Sequence, residues 1–328
     1  MASLPEKILT PNPARFALTP NVEHQDILGL LEKMKIKKWI ANEIDFTQDQ
    51  HDYQFKLTDD ERHFIKMITA FFASSDGLVM ENLNCNFMSE VQIPEARQFF
   101  AYQIYNESEH SQTYANMLVA IVPDAKEQQY LFQAIETIPS IKKLADWAKS
   151  WMDQSAHPFC VRIIAFVLYE GLVFSGKFAA IFWFVKKNLL PGFRHANLLI
   201  SVDEGGHESQ GILLHQKLEN KCPETLVHAM IQAIVDLDIE FMTESIPVTL
   251  IGMNIELMTE YIKTVANRIL KRLGYVTLYQ VNPNNSLIYM MDKLALDSKT
   301  SFFELRNDNY EDSSVINQDS EFNAHTEF

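Results

Sequence analysis

A chain of 328 residues, 47% of them hydrophobic, can bury one large core, and no flexible linker interrupts its middle. With 43 acidic residues against 28 basic ones, the net charge of −15 argues against a nucleic-acid partner and leaves many carboxylates to be explained. The three cysteines, Cys85, Cys160 and Cys222, lie far apart in no CxxC arrangement, which speaks against a disulfide framework, fits a reducing compartment and makes them core thiols first.

The N-terminus, MASLPEKILTPNP, has no apolar h-region, so no signal peptide is read there and the cytoplasm is the expected location. Residues 1–22 contain prolines and little periodicity, and are expected to form a flexible N-terminal segment. From there the chain is punctuated as long helices joined by short turns, with glycine scarce and most prolines at the ends of periodic stretches. Thr58, with Asp and Glu in the turn that follows, opens TDDERHFIKMITAFFASSDGLVMENLNCNF, whose apolar positions recur at three and four. Pro94 opens PEARQFFAYQIYNESEHSQTYANMLVAIV at the position where its missing N–H costs nothing. Pro123, Pro139 and Pro158 mark the next boundaries.

Residues Val161 to Val185, VRIIAFVLYEGLVFSGKFAAIFWFV, are long and apolar enough to span a bilayer. Glu170 and Lys177 lie near the middle, and a charge at the bilayer centre costs at least about 2.5–3.5 kcal/mol, so a fully buried central helix is the better reading and no membrane is expected. After Pro191 the pattern predicts a helix through His207 to about Leu218, another from about Pro223 to Ser245, and one from about Asn254 to Leu273. Alternating runs typical of strands are almost absent, which makes the chain an all-α bundle over residues 23–306. Residues 307–328, NDNYEDSSVINQDSEFNAHTEF, are acidic and poor in aliphatics, and are expected to be a disordered tail.

Six residues form a pattern that composition does not explain: Asp76, Glu107 with His110, Glu170, and Glu204 with His207. Glu-x-x-His places a carboxylate and an imidazole on one helix face, where both can reach one metal ion. A single occurrence arises by chance on a solvated face. Two occurrences, with a lone carboxylate on each of two further apolar helices, make the ligand set of ferritin-like di-iron and di-manganese carboxylate proteins, with Asp76 in place of one Glu. Four buried carboxylates also need a compensating cation.

On these residues the sequence resembles the small, radical-generating subunit of class I ribonucleotide reductase of the eukaryotic and viral type. The motifs are FFASSDGLVMENL, EVQIPEARQFFAYQIYNESEHSQTY, AFVLYEGLVFSGKFAAIFW, LISVDEGGH and ESIPVTLIGMN, and the resemblance runs from about Lys37 to Phe328. It implies a homodimer with two iron ions per chain, a di-iron-oxo centre formed with dioxygen, and a stable tyrosyl radical. Iron is favoured over a manganese–iron pair because a tyrosine stands at 114. It implies a ribonucleoside-diphosphate reductase that works with a large subunit in deoxyribonucleotide synthesis for DNA replication.

Residue by residue, the resemblance assigns the radical to Tyr114, four positions after His110, and its apolar pocket to Phe174, Phe178 and Ile200. Read alone, these four are core residues. It assigns Trp39 to the start of the radical route, Asp203 to the carboxylate that orients Trp39 along with His110, and Tyr310 to the mobile relay at the subunit boundary. Phe322 and Phe328, in FNAHTEF, match the tail that docks on the large subunit. Val202 stands where eukaryotic members usually carry Arg, which bears on proton handling beside Asp203. The alternative is a ferritin-like di-metal oxidase of another substrate, which would need a substrate cavity and have no use for Tyr310 or the tail.

Overall fold

The computed structural model describes residues 5–18, 22–184, 189–246 and 255–282. Thirteen α-helices follow in chain order among them: α1 (Gln25–Ile36), α2 (Thr47–Phe55), α3 (Asp59–Asn82), α4 (Met88–Glu90), α5 (Pro94–Ile121), α6 (Ala125–Phe132), α7 (Ala134–Thr137), α8 (Pro139–Met152), α9 (Phe159–Leu168), α10 (Phe174–Phe184), α11 (Pro191–Gln216), α12 (Glu224–Ser245) and α13 (Ile255–Leu273). No strand occurs among the described residues, as the sequence predicts. All described helices belong to one compact unit.

The helix starts have local causes. Thr58 and Glu61 form a reciprocal capping box: the Thr58 hydroxyl accepts from the Glu61 N–H at 3.3 Å and the Glu61 carboxylate from the Thr58 N–H at 2.9 Å. Proline occupies the first position of α5, α8 and α11. The run predicted as one helix after Thr58 continues past Asn82 through a π-helical turn at Leu83–Phe87 into α4. Cys85 lies on this turn and is exposed, so it is no core thiol; Cys222 is buried, and Cys160 is half-buried in the first turn of α9 with its side chain hydrogen-bonded to Cys222.

α3 packs along α5, and α9 packs on α11. The latter approach depends on Gly211, where a Cβ would stand 2.6 Å from Val167. α9 runs through a second π-helical turn, Tyr169–Val173, into α10. Phe159–Phe182 is the one stretch among the described residues long and apolar enough to cross a membrane, and 94% of its apolar window is buried in the protein. Lys177 survives there because its ammonium pairs with Asp238 of α12, both fully buried, and faces the rings of Phe71 and Phe241 at 4.5 and 4.7 Å. Burial pushes the Lys177 amine down and the Asp238 carboxyl up.

In the N-terminal segment, the backbone carbonyl of Ile8 accepts from Gln92 at 2.7 Å and Glu6 accepts from the N–H groups of Glu219 and Asn220 at 2.8 Å each. The tail 307–328, with Tyr310, Phe322 and Phe328, lies outside the described residues.

Candidate metal centre

Four elements converge on the six predicted ligands. Asp76 comes from α3, Glu107 and His110 from α5, Glu170 from the Tyr169–Val173 π turn, and Glu204 and His207 from α11; none is more than 3% exposed. Ligand atoms of Glu107, Glu170, Glu204 and His207 lie within 4.8 Å of one another, and so do those of Asp76, Glu107 and His110. Glu107 belongs to both groups. Each Glu-x-x-His pair falls within one group, and Glu107 joins the other group as well.

The backbone around Glu170 is shaped for this. A π turn shifts the helix face by one residue. Within that turn stands Gly171, whose missing Cβ leaves room for the Glu208 side chain; a Cβ there would stand 2.6 Å from the Glu208 carboxyl carbon. Glu208 is buried too, but it binds Arg268 and Arg272 at 2.7 Å each.

The ligand carboxylates have no such cation. Both oxygens of Asp76, Glu107 and Glu170, and Oε1 of Glu204, are buried without a hydrogen bond of normal geometry. The nearest positive candidates are the imidazoles themselves: His110 Nδ1 stands 3.0 Å from Glu204 and 3.5 Å from Glu107, and His207 Nδ1 stands 3.0 Å from Glu204, 3.1 Å from Glu107 and 3.5 Å from Glu170. Burial, and then the charge of Glu107, pushes the Asp76 carboxyl well above the usual carboxylate range. Burial, followed by Glu204 and Glu107, does the same to Glu170. Burial alone would raise Glu204 and depress both histidines; hydrogen bonds and opposite charges around them reverse all three shifts. Four crowded carboxylates and two imidazoles are the donor set that two divalent cations satisfy, with four negative charges against four positive ones. The residues fit a pair of metal ions.

Tyr114 is fully buried one turn beyond His110 on α5, and burial pushes its phenol well above the ordinary value, with Asp76, Glu204 and Glu107 adding to the shift. Phe174, Phe178 and Ile200 are buried to within 1%. Sequence reasoning missed Phe72, whose ring stacks on Tyr114 at 4.8 Å and 2° and on Phe178 at 4.8 Å. Its signal was its place four residues before Asp76, on the same face of α3. It also missed Asn197, whose Oδ1 accepts from the Tyr114 hydroxyl at 3.0 Å.

On the other side of His110, the Trp39 indole N–H donates to Asp203 at 2.8 Å, and His110 Nε2 lies 3.2 Å from the same carboxylate oxygen. The Trp39 and His110 rings stack at 5.8 Å with 13° between planes. Residues 39, 110 and 203, distant in sequence, therefore form one buried unit. Val202 beside them is half-buried.

The family described as ribonucleotide reductase, small chain, matches residues 16–286. A ribonucleoside-diphosphate reductase small chain of Arabidopsis thaliana is 44% identical over 96% of this chain and 94% of the plant protein. The small chain of vaccinia virus strain Ankara is 43% identical, covering 98% of this chain and 100% of the viral one. Among solved structures, the Rnr4 ribonucleotide reductase homodimer of Saccharomyces cerevisiae is similar with a TM-score of 0.75 at 30% identity, covering 87% of this chain and 90% of the yeast chain. The ribonucleotide reductase R2 subunit from Clostridium botulinum has a TM-score of 0.74 at 20% identity over 82% of this chain and 88% of the bacterial one, a likeness of fold alone.

Proposed function

The chain belongs to the ribonucleotide reductase small-chain family, an oxidoreductase subunit, and from that premise we propose that it generates and stores a radical at Tyr114 for ribonucleotide reduction by a large subunit. Asp76, Glu107, His110, Glu170, Glu204 and His207 would hold two iron ions, with Glu107 shared between them. When bound, such a pair supplies dioxygen activation and takes electrons from the protein. The observation that carries this reading is the two ligand groups sharing Glu107 beside a fully buried tyrosine on the same helix.

The chain's own residues do the rest. Phe72, Phe174, Phe178 and Ile200 exclude water from Tyr114, which keeps a phenoxyl from being quenched. Asp203 holds the indole of Trp39 and Nε2 of His110 through one oxygen, so it orients both and can take or return the indole proton as Trp39 is oxidised and reduced. Trp39 is the first carrier on the route from the metal centre, and Tyr310 is its relay to the large subunit. Phe322 and Phe328 anchor the tail on that subunit. We take the assembly to be a cytoplasmic homodimer that binds neither nucleic acid nor membrane, a reading supported by the yeast homodimer of similar fold and by the excess of acidic residues.

Electron paramagnetic resonance of protein reconstituted with ferrous iron and air tests the reading. A tyrosyl signal is expected in the unaltered chain and none in Tyr114→Phe, both binding two irons. Iron uptake with no organic radical in either protein removes the radical role, and a manganese–iron signal after expression in mixed metals replaces the di-iron assignment.

A further inference from the structure

Asn197 is fully buried on α11, within an apolar stretch, and makes two hydrogen bonds. Its Nδ2 donates to the Phe193 carbonyl, one turn back, at 2.7 Å, and its Oδ1 accepts from the Tyr114 hydroxyl at 3.0 Å. The first bond settles the second. An amide has one donating and one accepting end; with Nδ2 committed to a carbonyl, which can only accept, Oδ1 must face the phenol, and the phenol must be the donor. Turning the amide over would put two oxygens against each other at Phe193 and leave a buried acceptor unpaired. The phenol ring is fixed meanwhile by Phe72, stacked 4.8 Å away with 2° between planes.

We propose that Asn197 is a positioning residue for Tyr114, an acceptor that binds the reduced phenol and not the radical, and so sets how readily Tyr114 is oxidised and how long its radical lasts. The inference rests on the radical role proposed for Tyr114. Oxidation converts Tyr–OH to Tyr–O•, one proton and one electron; dioxygen, the oxidant in the proposed reaction, takes up both on its way to water. Asn197 takes no part in that transfer, because a neutral amide oxygen is too weak a base to keep the proton. Once the proton has gone, Oδ1 faces an oxygen with nothing to donate, and the bond is lost. A hydrogen bond present only in the reduced state stabilises that state alone. Asn197 therefore opposes oxidation of Tyr114 and favours return of the radical to phenol.

Two measurements test this on Asn197→Leu, which keeps the volume and removes the acceptor, and on Asn197→Thr, which keeps a hydroxyl able to bond Phe193. The first is the phenol C–O stretch of isotope-labelled tyrosine in metal-free protein, with Tyr114→Phe identifying the band. A shift in Asn197→Leu to the position of a phenol without an acceptor is expected; an unchanged band overturns the proposal. The second is the decay of the tyrosyl signal with a small reductant such as ascorbate after reconstitution with ferrous iron and air. The radical should persist roughly two- to tenfold longer in Asn197→Leu, the factor that one net hydrogen bond gives, with Asn197→Thr between it and the unaltered chain. Equal or faster decay in Asn197→Leu overturns the proposal. If no radical forms in any protein, the radical role of Tyr114 falls, while the infrared band still decides whether Asn197 holds the phenol.

Discussion

A carboxylate can be buried when a cation faces it, and neighbouring positions of this chain meet that condition differently. Glu208 is met by Arg268 and Arg272, and Asp238 by Lys177; Asp76, Glu107, Glu170 and Glu204 have only two histidines and one another. Residue type and burial alone do not separate these sets, since Glu204 and Glu208 lie one turn apart on α11 and both are buried. A similar asymmetry separates the thiols. Contact with Cys222 holds the Cys160 thiol down at about 7, whereas the same contact, together with burial, pushes Cys222 up. Cys160 is half-exposed, so at pH 7.5 iodoacetamide should alkylate it in the folded protein well before Cys222, as peptide mapping would show. Cys222→Ala should slow that reaction; a rate indifferent to residue 222 would remove the coupling.

At the scale of the element, α11 carries Glu204, His207 and Asn197, and its start is held by α2. Asp49 accepts from the N–H groups of Gly192 at 2.8 Å and Phe193 at 2.6 Å, placing a carboxylate at the positive end of the helix. Burial nevertheless raises Asp49 to about 6, against those two bonds. In the unfolded chain it ionises near the ordinary value of 3.8, so between these values the folded state holds a proton that the unfolded state has released. Stability from this group is thus fully present below pH 4 and is lost as pH rises through about 6, by at most about 3 kcal/mol. The Tm of the unaltered chain minus that of Asp49→Asn should fall between pH 4 and pH 7, and a flat difference would show that Asp49 does not titrate there. α10 offers a second case. Asp238→Ala leaves the Lys177 ammonium buried and alone, and should cost about 3–5 kcal/mol in chemical denaturation. Lys177→Met combined with Asp238→Leu should recover most of that loss. If the single substitution is as mild as the double one, the pair does not carry the charge balance of the core.

For the molecule as a whole, metal binding at the proposed centre would be linked to folding, because the six candidate ligands come from α3, α5, α11 and the π turn between α9 and α10. Ferrous or cobaltous ions at a hundredfold excess over Kd should stabilise the fold by about 2.7 kcal/mol per site, seen as a rise in Tm. Glu107→Ala, which removes the shared ligand, should abolish the rise, and a full rise in that variant would place the ions elsewhere. The helical class, the breaks at Pro94, Pro139 and Pro191, the burial of the 161–182 stretch and the six candidate ligands were all legible in the chain, because helix periodicity, proline geometry and the cost of a buried charge act over one or two turns. Spacing along a helix states which residues share a face, and it placed Glu107 with His110 and Glu204 with His207. It does not state what that face meets. That Glu107 belongs to both ligand groups, that Asp203 joins Trp39 to His110, that Phe72 and Asn197 hold Tyr114, and that Glu208 is answered by arginines while its neighbours are not, was decided by packing between helices far apart in sequence. The close approach of α9 and α11 at Gly211 and the π turn at Glu170 likewise leave no periodic trace in the sequence.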